Sequence, residues 1–216
     1  MSDTELTALP LGDTGVTIVF GTDRSDQLLR RIQRAAQTLL SAKPPHVDDV
    51  VPGYLTLAAF YDPLAVSYAE ISQQLLQLCE RGSGADTKGP SREHRIVVTY
   101  DGPDLGSVAA ATGLSPEEVV ARHEGRSYTV DLLGFVPGFA YLSTLDPAIQ
   151  LPRRPQPRPR VVAGSVAIAG AQTGVYPLDT PGGWHIIGHT KTSMFDASRE
   201  PPALLRPGDT VRFESA

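Results

Sequence analysis

The stretch Leu133-Gly134-Phe135-Val136-Pro137-Gly138-Phe139-Ala140-Tyr141-Leu142 opens the segment that sets the architecture of the C-terminal half. It continues through Ala163-Gly164-Ser165-Val166-Ala167-Ile168-Ala169-Gly170 and Gln172-Thr173-Gly174-Val175-Tyr176-Pro177. It closes with Thr180-Pro181-Gly182-Gly183-Trp184-His185-Ile186-Ile187-Gly188-His189-Thr190. Glycine admits backbone conformations that side-chain-bearing residues resist, and proline fixes φ and lacks an N–H donor. Short apolar runs punctuated this densely predict an all-β surface built around tight turns. Aromatic residues set into such a surface can line a ligand cleft.

Upstream of it, residues 95–100 read as a strand, and Asp104 stands where it can cap a short helix that Gly113 ends. Ser115-Pro116-Glu117-Glu118 combines an N-cap serine, proline at the first helical position and glutamate three residues after the cap. That helix should run to about His123, before Gly125. From Tyr128 onward the chain is β-rich.

The N-terminal part changes period. Residues 16–20 are β-branched and end at Gly21, a short strand. Leu28, Leu29, Ile32, Ala35, Ala36, Leu39 and Leu40 then recur at helical spacing, with Arg30, Arg31, Arg34 and Gln37 opposite. Residues 47–51 and 55–61 read as strands around Pro52-Gly53. Ser67 can cap a second helix with Ile71, Leu75 and Leu78 as its stripe and Gly82 just past its end. This β-α-β-β-α order predicts a small antiparallel sheet covered on one face by two helices, a ferredoxin-like arrangement. Residues 81–90 hold little that could bury apolar surface and read as a linker. The expected class is therefore α+β, with domains 1–88 and 89–216.

At 216 residues the formal net charge of −5 is mildly acidic and argues against non-specific binding to nucleic acid, whose phosphates demand a basic face. Cys79 is the only cysteine, so no intramolecular disulfide and no cysteine-rich metal site can form. The opening Met1-Ser2-Asp3-Thr4-Glu5 is acidic and leads into no signal-like apolar stretch. No apolar run approaches the roughly 20 residues that span a bilayer. The expected location is the cytoplasm.

Several catalytic signatures are missing from the sequence: the P-loop, the H-E-x-x-H helix and paired cysteines, so no metal site is expected. Gly164-Ser165-Val166 lacks the second glycine of a nucleophile elbow, and Ser165 reads as a turn or strand residue. His185 and His189 stand four apart on a predicted strand, sharing a face but roughly 13 Å apart at about 3.3 Å per residue. That distance rules out a shared metal, and each remains a solvated strand histidine or a cleft residue. His123, at a helix end, can serve the helix dipole and last carbonyls or act as a general acid or base. Residues 152–160 place Arg153, Arg154, Arg158 and Arg160 in a proline-rich loop. Such a loop is either an exposed polyproline II segment or a preorganised anion site. Trp184, the only tryptophan, can be a core anchor, a cleft wall or an interface hot spot. Phe135, Phe139 and Tyr141 default to core packing, with the Tyr141 hydroxyl best placed to reach a ligand.

The blocks Phe135-Val136-Pro137-Gly138-Phe139 and Thr180-Pro181-Gly182-Gly183-Trp184 carry a family resemblance. Gly12-Asp13, Phe20-Gly21, residues 49–54 and Tyr61-Asp62-Pro63 belong to it as well. So do Gly102-Pro103-Asp104-Leu105, Gly113-Leu114-Ser115, His123 and residues 206–213. Across nearly its whole length the chain resembles one family, that of allophanate hydrolase subunit 1, the 5-oxoprolinase B subunit and the kinase inhibitor KipI. Tyr100-Asp101-Gly102-Pro103 departs from the family in being shorter than its usual glycine-rich turn.

The resemblance implies a cyclophilin-like β-barrel for the second domain. It implies one component of an ATP-dependent 5-oxoprolinase complex, which opens the lactam of 5-oxo-L-proline to L-glutamate with ATP cleavage. ATP, with magnesium as its counter-ion, is the expected cofactor, and none is expected to be bound to this chain itself. Expected partners are a sister protein of the allophanate hydrolase subunit 2 or 5-oxoprolinase C-subunit type, and a separate 5-oxoprolinase A-subunit. The expected catalytic residues are His189 and His123. Expected substrate- or ATP-binding residues are Arg153, Arg160, Tyr141, Gln172, Gly182, Gly183 and Trp184. The family usually places arginine or histidine at 189 and glutamine at 185. Two other functions stay open: inhibition of a sensor kinase, and a carboxyltransferase-like role in biotin-dependent urea metabolism. No biotin-carrier Met-Lys-Met triplet occurs in the sequence. Prolyl isomerisation is discounted because the Phe-His-Arg stretch of cyclophilins is missing.

Overall fold

The chain starts with a hairpin, β1 (Thr7–Leu11) against β2 (Gly15–Val19), turning at Gly12, whose φ of 60° suits glycine. The computed structural model describes residues 5–82 and 91–216, which fall into two units, 1–88 and 89–216. The expected linker lies outside the described residues from position 83 onward.

In the first unit, Ser25 accepts from the Leu28 N–H at 3.1 Å and starts α1 (Asp26–Ala42). Its buried stripe is Leu29, Ile32, Ala35, Ala36 and Leu39, whereas Leu40, expected on that face, is exposed. β3 (Val47–Pro52) and β4 (Thr56–Tyr61) follow. Ser67 and Glu70 then form a reciprocal cap at the start of α2 (Tyr68–Gly82). The sheet is fully antiparallel in the order β1-β2-β4-β3. The N-terminal segment supplies its fourth strand, which the sequence pattern did not reveal. That strand is an edge, mostly exposed, and contains Pro10, which only an edge tolerates. Val16, Ile18, Leu57 and Ala59 on the sheet bury against Ile32, Leu39, Ile71 and Leu75 of the helices. Cys79 is inside this core, and burial pushes its thiol up to about 12, far from reactivity.

The second unit is a sheet curled into a ring. Its elements are β5 (Glu93–Val98), α3 (Leu105–Thr112), α4 (Pro116–Glu124), β6 (Tyr128–Leu133) and β7 (Ala140–Ser143). After a 3₁₀ turn at Pro147–Ile149 come β8 (Arg158–Val161), β9 (Ser165–Ala169) and β10 (Gln172–Val175). β11 (Thr180–Gly182), β12 (His185–His189) and β13 (Thr210–Ser215) complete the chain. Seven strands run in the order β12-β9-β10-β7-β6-β13-β5, with β13 and β5 parallel and the other pairs antiparallel. Thr99, just past β5, exchanges both backbone hydrogen bonds with His189 at 2.8 Å each and closes the ring. β8 and β11 form a separate two-stranded ribbon.

Alternation along the strands divides the packing. Val166 and Ile168 join Ile96, Val130, Leu142 and Phe213 in the main core, with α3 and α4 packed on it. Ala167 and Ala169 point the other way, into a smaller cluster with Phe139, Tyr176 and Trp184. Ser115 and Glu118 make the expected capping box of α4. Among the described residues no helix is long and apolar enough to cross a membrane.

Candidate functional site

Asp104 organises the arginine loop. It occupies the N-cap position of α3, but its carboxylate makes no cap bond, contrary to expectation. Instead Oδ1 accepts from Arg154 Nη1 and Arg158 Nη2, both at 2.8 Å. Oδ2 accepts from Arg158 Nη1 at 2.8 Å and from the Ile186 N–H at 2.7 Å. Asp104 is only 3 % exposed. Burial alone would raise its carboxyl, but the bonds from Arg158 and Ile186 and the charges of both arginines outweigh that and hold it below the usual range. One carboxylate thus serves two guanidiniums, leaving a net positive charge.

The four loop arginines therefore differ. Arg154 and Arg158 are bound to Asp104. Arg160, expected at a ligand, donates to Asp179 through Nε and Nη2. Arg153 is exposed and makes no hydrogen bond or ion pair among the described residues, and its charge acts on Tyr176. The sequence singles out Arg153 and Arg160 and passes over Arg154 and Arg158, because the partner of these two lies 50 and 54 residues upstream.

An aromatic group backs this loop. Phe139 makes edge-on contacts with Tyr141, Tyr176 and Trp184 at ring separations of 5.0, 5.4 and 5.5 Å. A Cβ on Gly174 would fall 2.9 Å from the Ala140 carbonyl oxygen and 3.2 Å from Phe139, so glycine lets the neighbouring strand and the Phe139 ring lie close. A Cβ on Gly182 would collide with the Tyr176 hydroxyl. Trp184 is 4 % exposed and belongs to this cluster, so of the places open to it in the sequence the structure gives it that of a core anchor. The physical reason is the ribbon of β8 and β11, whose Val161 helps bury it. Phe135 stands out instead: it is exposed, has a φ of 72° and leans on Phe139 at 5.6 Å. Gln172 pairs with Ser143, two residues from Tyr141, so register puts Gln172 and Tyr141 on one face.

The histidines have separate roles. His123 is fully buried on the opposite side of β10. Thr173 donates its hydroxyl proton to the Ala167 carbonyl at 3.0 Å, so its oxygen accepts from His123 Nε2 at 2.8 Å. Nδ1 must then accept from the Tyr100 hydroxyl at 2.7 Å. Both ring nitrogens are satisfied in the neutral form, and burial pushes the imidazole down to about 3. This is the surrounding of a core histidine, not of one that meets a substrate. His189 is part-exposed, and its Nδ1 donates to Asp101 at 2.7 Å, leaving Nε2 as the basic nitrogen. His185 donates from Nε2 to the Pro152 carbonyl at 2.9 Å. The two were expected to share a face. A bulge between Ile186 and Gly188 pairs His185 with Ile168 and His189 with Ser165, which puts them on opposite faces.

The Arg154 N–H donates to the Gly183 carbonyl at 2.8 Å, and Gly182 pairs with Arg158. Arg153, Gly182, Gly183 and Trp184 are thereby gathered around one edge, with Tyr141 reaching it through its 6.0 Å contact with Trp184. Arg160, His123 and His189 are not.

A family profile described as carboxyltransferase domain, subdomain C and D, matches residues 6–205. The chain is 42 % identical over 207 residues to the 5-oxoprolinase B-subunit of Escherichia coli O157:H7, covering 94 % of this chain and 93 % of that one. It is 37 % identical to the 5-oxoprolinase B-subunit of Bacillus subtilis strain 168, covering 94 % and 90 %. The crystal structure of TTHA0988 superposes with a TM-score of 0.82 at 44 % identity over 94 % of this chain, which spans only 40 % of that longer chain. The chain belongs to the 5-oxoprolinase B-subunit family, on a carboxyltransferase subdomain C and D framework.

Proposed function

We propose that the chain works as the B-subunit of an ATP-dependent 5-oxoprolinase in the cytoplasm, hydrolysing 5-oxo-L-proline to L-glutamate with cleavage of ATP. The observation that carries this reading is the end-to-end likeness to a 5-oxoprolinase B-subunit, 42 % identity over 94 % of this chain. The geometry agrees with it. An unactivated lactam opens favourably only when coupled to ATP, and such chemistry needs groups that hold anions and stabilise developing charge. Arg153, unpaired beside the positive Asp104–Arg154–Arg158 group, suits the substrate carboxylate. His189, its Nδ1–H held by Asp101, is oriented to accept a proton at Nε2. His123, closed in the core, has no part in this scheme.

In this reading the chain acts with a sister protein of the C-subunit type and a separate A-subunit, with magnesium accompanying ATP. That TTHA0988 extends well beyond the matched 40 % of its length supports a further component beside this one. The test is reconstitution. The purified chain is expected to show no 5-oxoproline-dependent ATP hydrolysis, and to gain it on addition of both partners. Turnover by the chain alone, or its absence from the full mixture, would defeat the proposal.

A further inference from the structure

Two buried polar atoms in the second unit have no hydrogen-bond partner among the described residues: Arg154 Nε and His185 Nδ1. They lie in one neighbourhood. His185 Nε2 is tied to the Pro152 carbonyl at 2.9 Å, two residues before Arg154. Asp104 holds Arg154 at 2.8 Å with one oxygen and the N–H of Ile186, next to His185, at 2.7 Å with the other. A carbonyl can only accept, so the His185 proton is on Nε2 and Nδ1 offers a lone pair. Arg154 Nε always carries a proton. One edge therefore presents a donor and an acceptor together, both removed from water and neither satisfied, which native structures seldom tolerate without a role.

An ordinary trans amide shows its N–H and C=O on opposite sides. A five-membered lactam is forced cis and shows both on one side. We propose that this edge reads a cyclic amide: Arg154 Nε–H donates to the lactam carbonyl, and the lactam N–H donates to His185 Nδ1. Arg153, exposed at the rim, takes the carboxylate. The charge supports this, because Asp104 neutralises only one of its two arginines and leaves the edge attractive to an anion. The Arg154 side chain itself remains 31 % exposed. The assignment rests on the 5-oxoprolinase reading and names the residues that would recognise its substrate.

The experiment follows ring ¹⁵N resonances of His185 in the full chain, alone and assembled with its partners, during titration with 5-oxo-L-proline. The Nδ1 signal is expected to move, and to stay in place with the N-methyl analogue, which lacks the ring N–H. In the assembled complex His185→Leu should raise KM for 5-oxo-L-proline about 10-fold, the size of one hydrogen bond, and leave kcat nearly unchanged. It should also abolish discrimination against the N-methyl analogue. An unresponsive Nδ1 in a complex that turns over 5-oxo-L-proline overturns this site and leaves the activity standing. A lowered melting point with unchanged KM means that the two atoms hold only a structural water, and overturns it too. A responsive Nδ1 in a complex without turnover keeps the site and removes the activity.

Discussion

His123 and His185 are both held by hydrogen bonds in the second unit, yet their surroundings differ in kind. Around His123 the accounting closes: Tyr100 donates to it, it donates to Thr173, and Thr173 donates to the Ala167 carbonyl. No charge is involved and no polar atom is left over. Around His185 the accounting stays open, with a lone pair and an arginine N–H unmatched and two guanidiniums sharing one carboxylate. A closed network specifies a core, because any change leaves a buried group unsatisfied. An open one has affinity to spare for a ligand. The same side chain is structural in the first setting and available in the second.

The largest expected effect tests whether the aromatic group belongs with the closed region. Trp184→Ala should cost roughly 3–5 kcal/mol of unfolding free energy, because the ring is buried among Phe139, Tyr141 and Tyr176. Chemical denaturation of the variant measures it. A loss below about 1 kcal/mol, within the range of surface changes, would return Trp184 to an interface role.

Asp104→Ala comes next. It strips the partner from Arg154 and Arg158, whose side chains are 31 % and 26 % exposed, so their charges are only partly relieved by water. The expected cost is about 3 kcal/mol, the lower end for breaking a buried pair. If the loop tolerated the change without loss, the carboxylate would not be its organiser.

Much of the scaffold around these sites is legible locally. The α4 start announces itself because Ser115, Pro116 and Glu118 interact within one turn, and α1 because a buried face repeats every 3.6 residues. What fails is whatever depends on distant partners. Asp104 looks like a cap until arginines 50 residues away claim it. A bulge at Ile187 turns His189 away from the face of His185, and Gly188, a glycine inside the strand, is the one local sign of it between them. β1 escapes notice because an exposed edge strand needs no apolar alternation. The aromatic block 135–141 does read as a packed surface, but that Trp184 is buried in one cluster with Phe139 and with Val161 of β8 depends on strands brought together from distant positions.

The closed region makes its own pH prediction. His123 is held near 3 when folded and returns to about 6.5 when unfolded, so between these values the unfolded chain binds the extra proton. Its contribution is fully present above pH 6.5 and is lost as the pH falls towards 3. The slope approaches about 1.4 kcal/mol per pH unit. Subtracting the acid-side stability profile of His123→Gln from that of the parent chain isolates it. Parallel profiles would mean that the imidazole becomes charged within the fold.

The smallest structural effect separates two arginines that look alike in the sequence. Arg160→Ala removes an exposed pair with Asp179 and should lower the melting temperature slightly without touching KM for 5-oxo-L-proline, since its guanidinium is already engaged away from the gathered edge. Arg153→Ala removes no hydrogen bond or ion pair among the described residues and should leave the melt unchanged. In the assembled complex it should raise KM on the order of 10-fold or more, the worth of a charge-assisted bond to a carboxylate. The contrast is informative because both residues are exposed arginines of one proline-rich segment, differing only in whether a carboxylate of the same chain occupies them. Equal KM changes in the two variants would show that the segment attracts anions by its summed charge. A change confined to Arg153 would show that the unpaired guanidinium itself contacts the substrate.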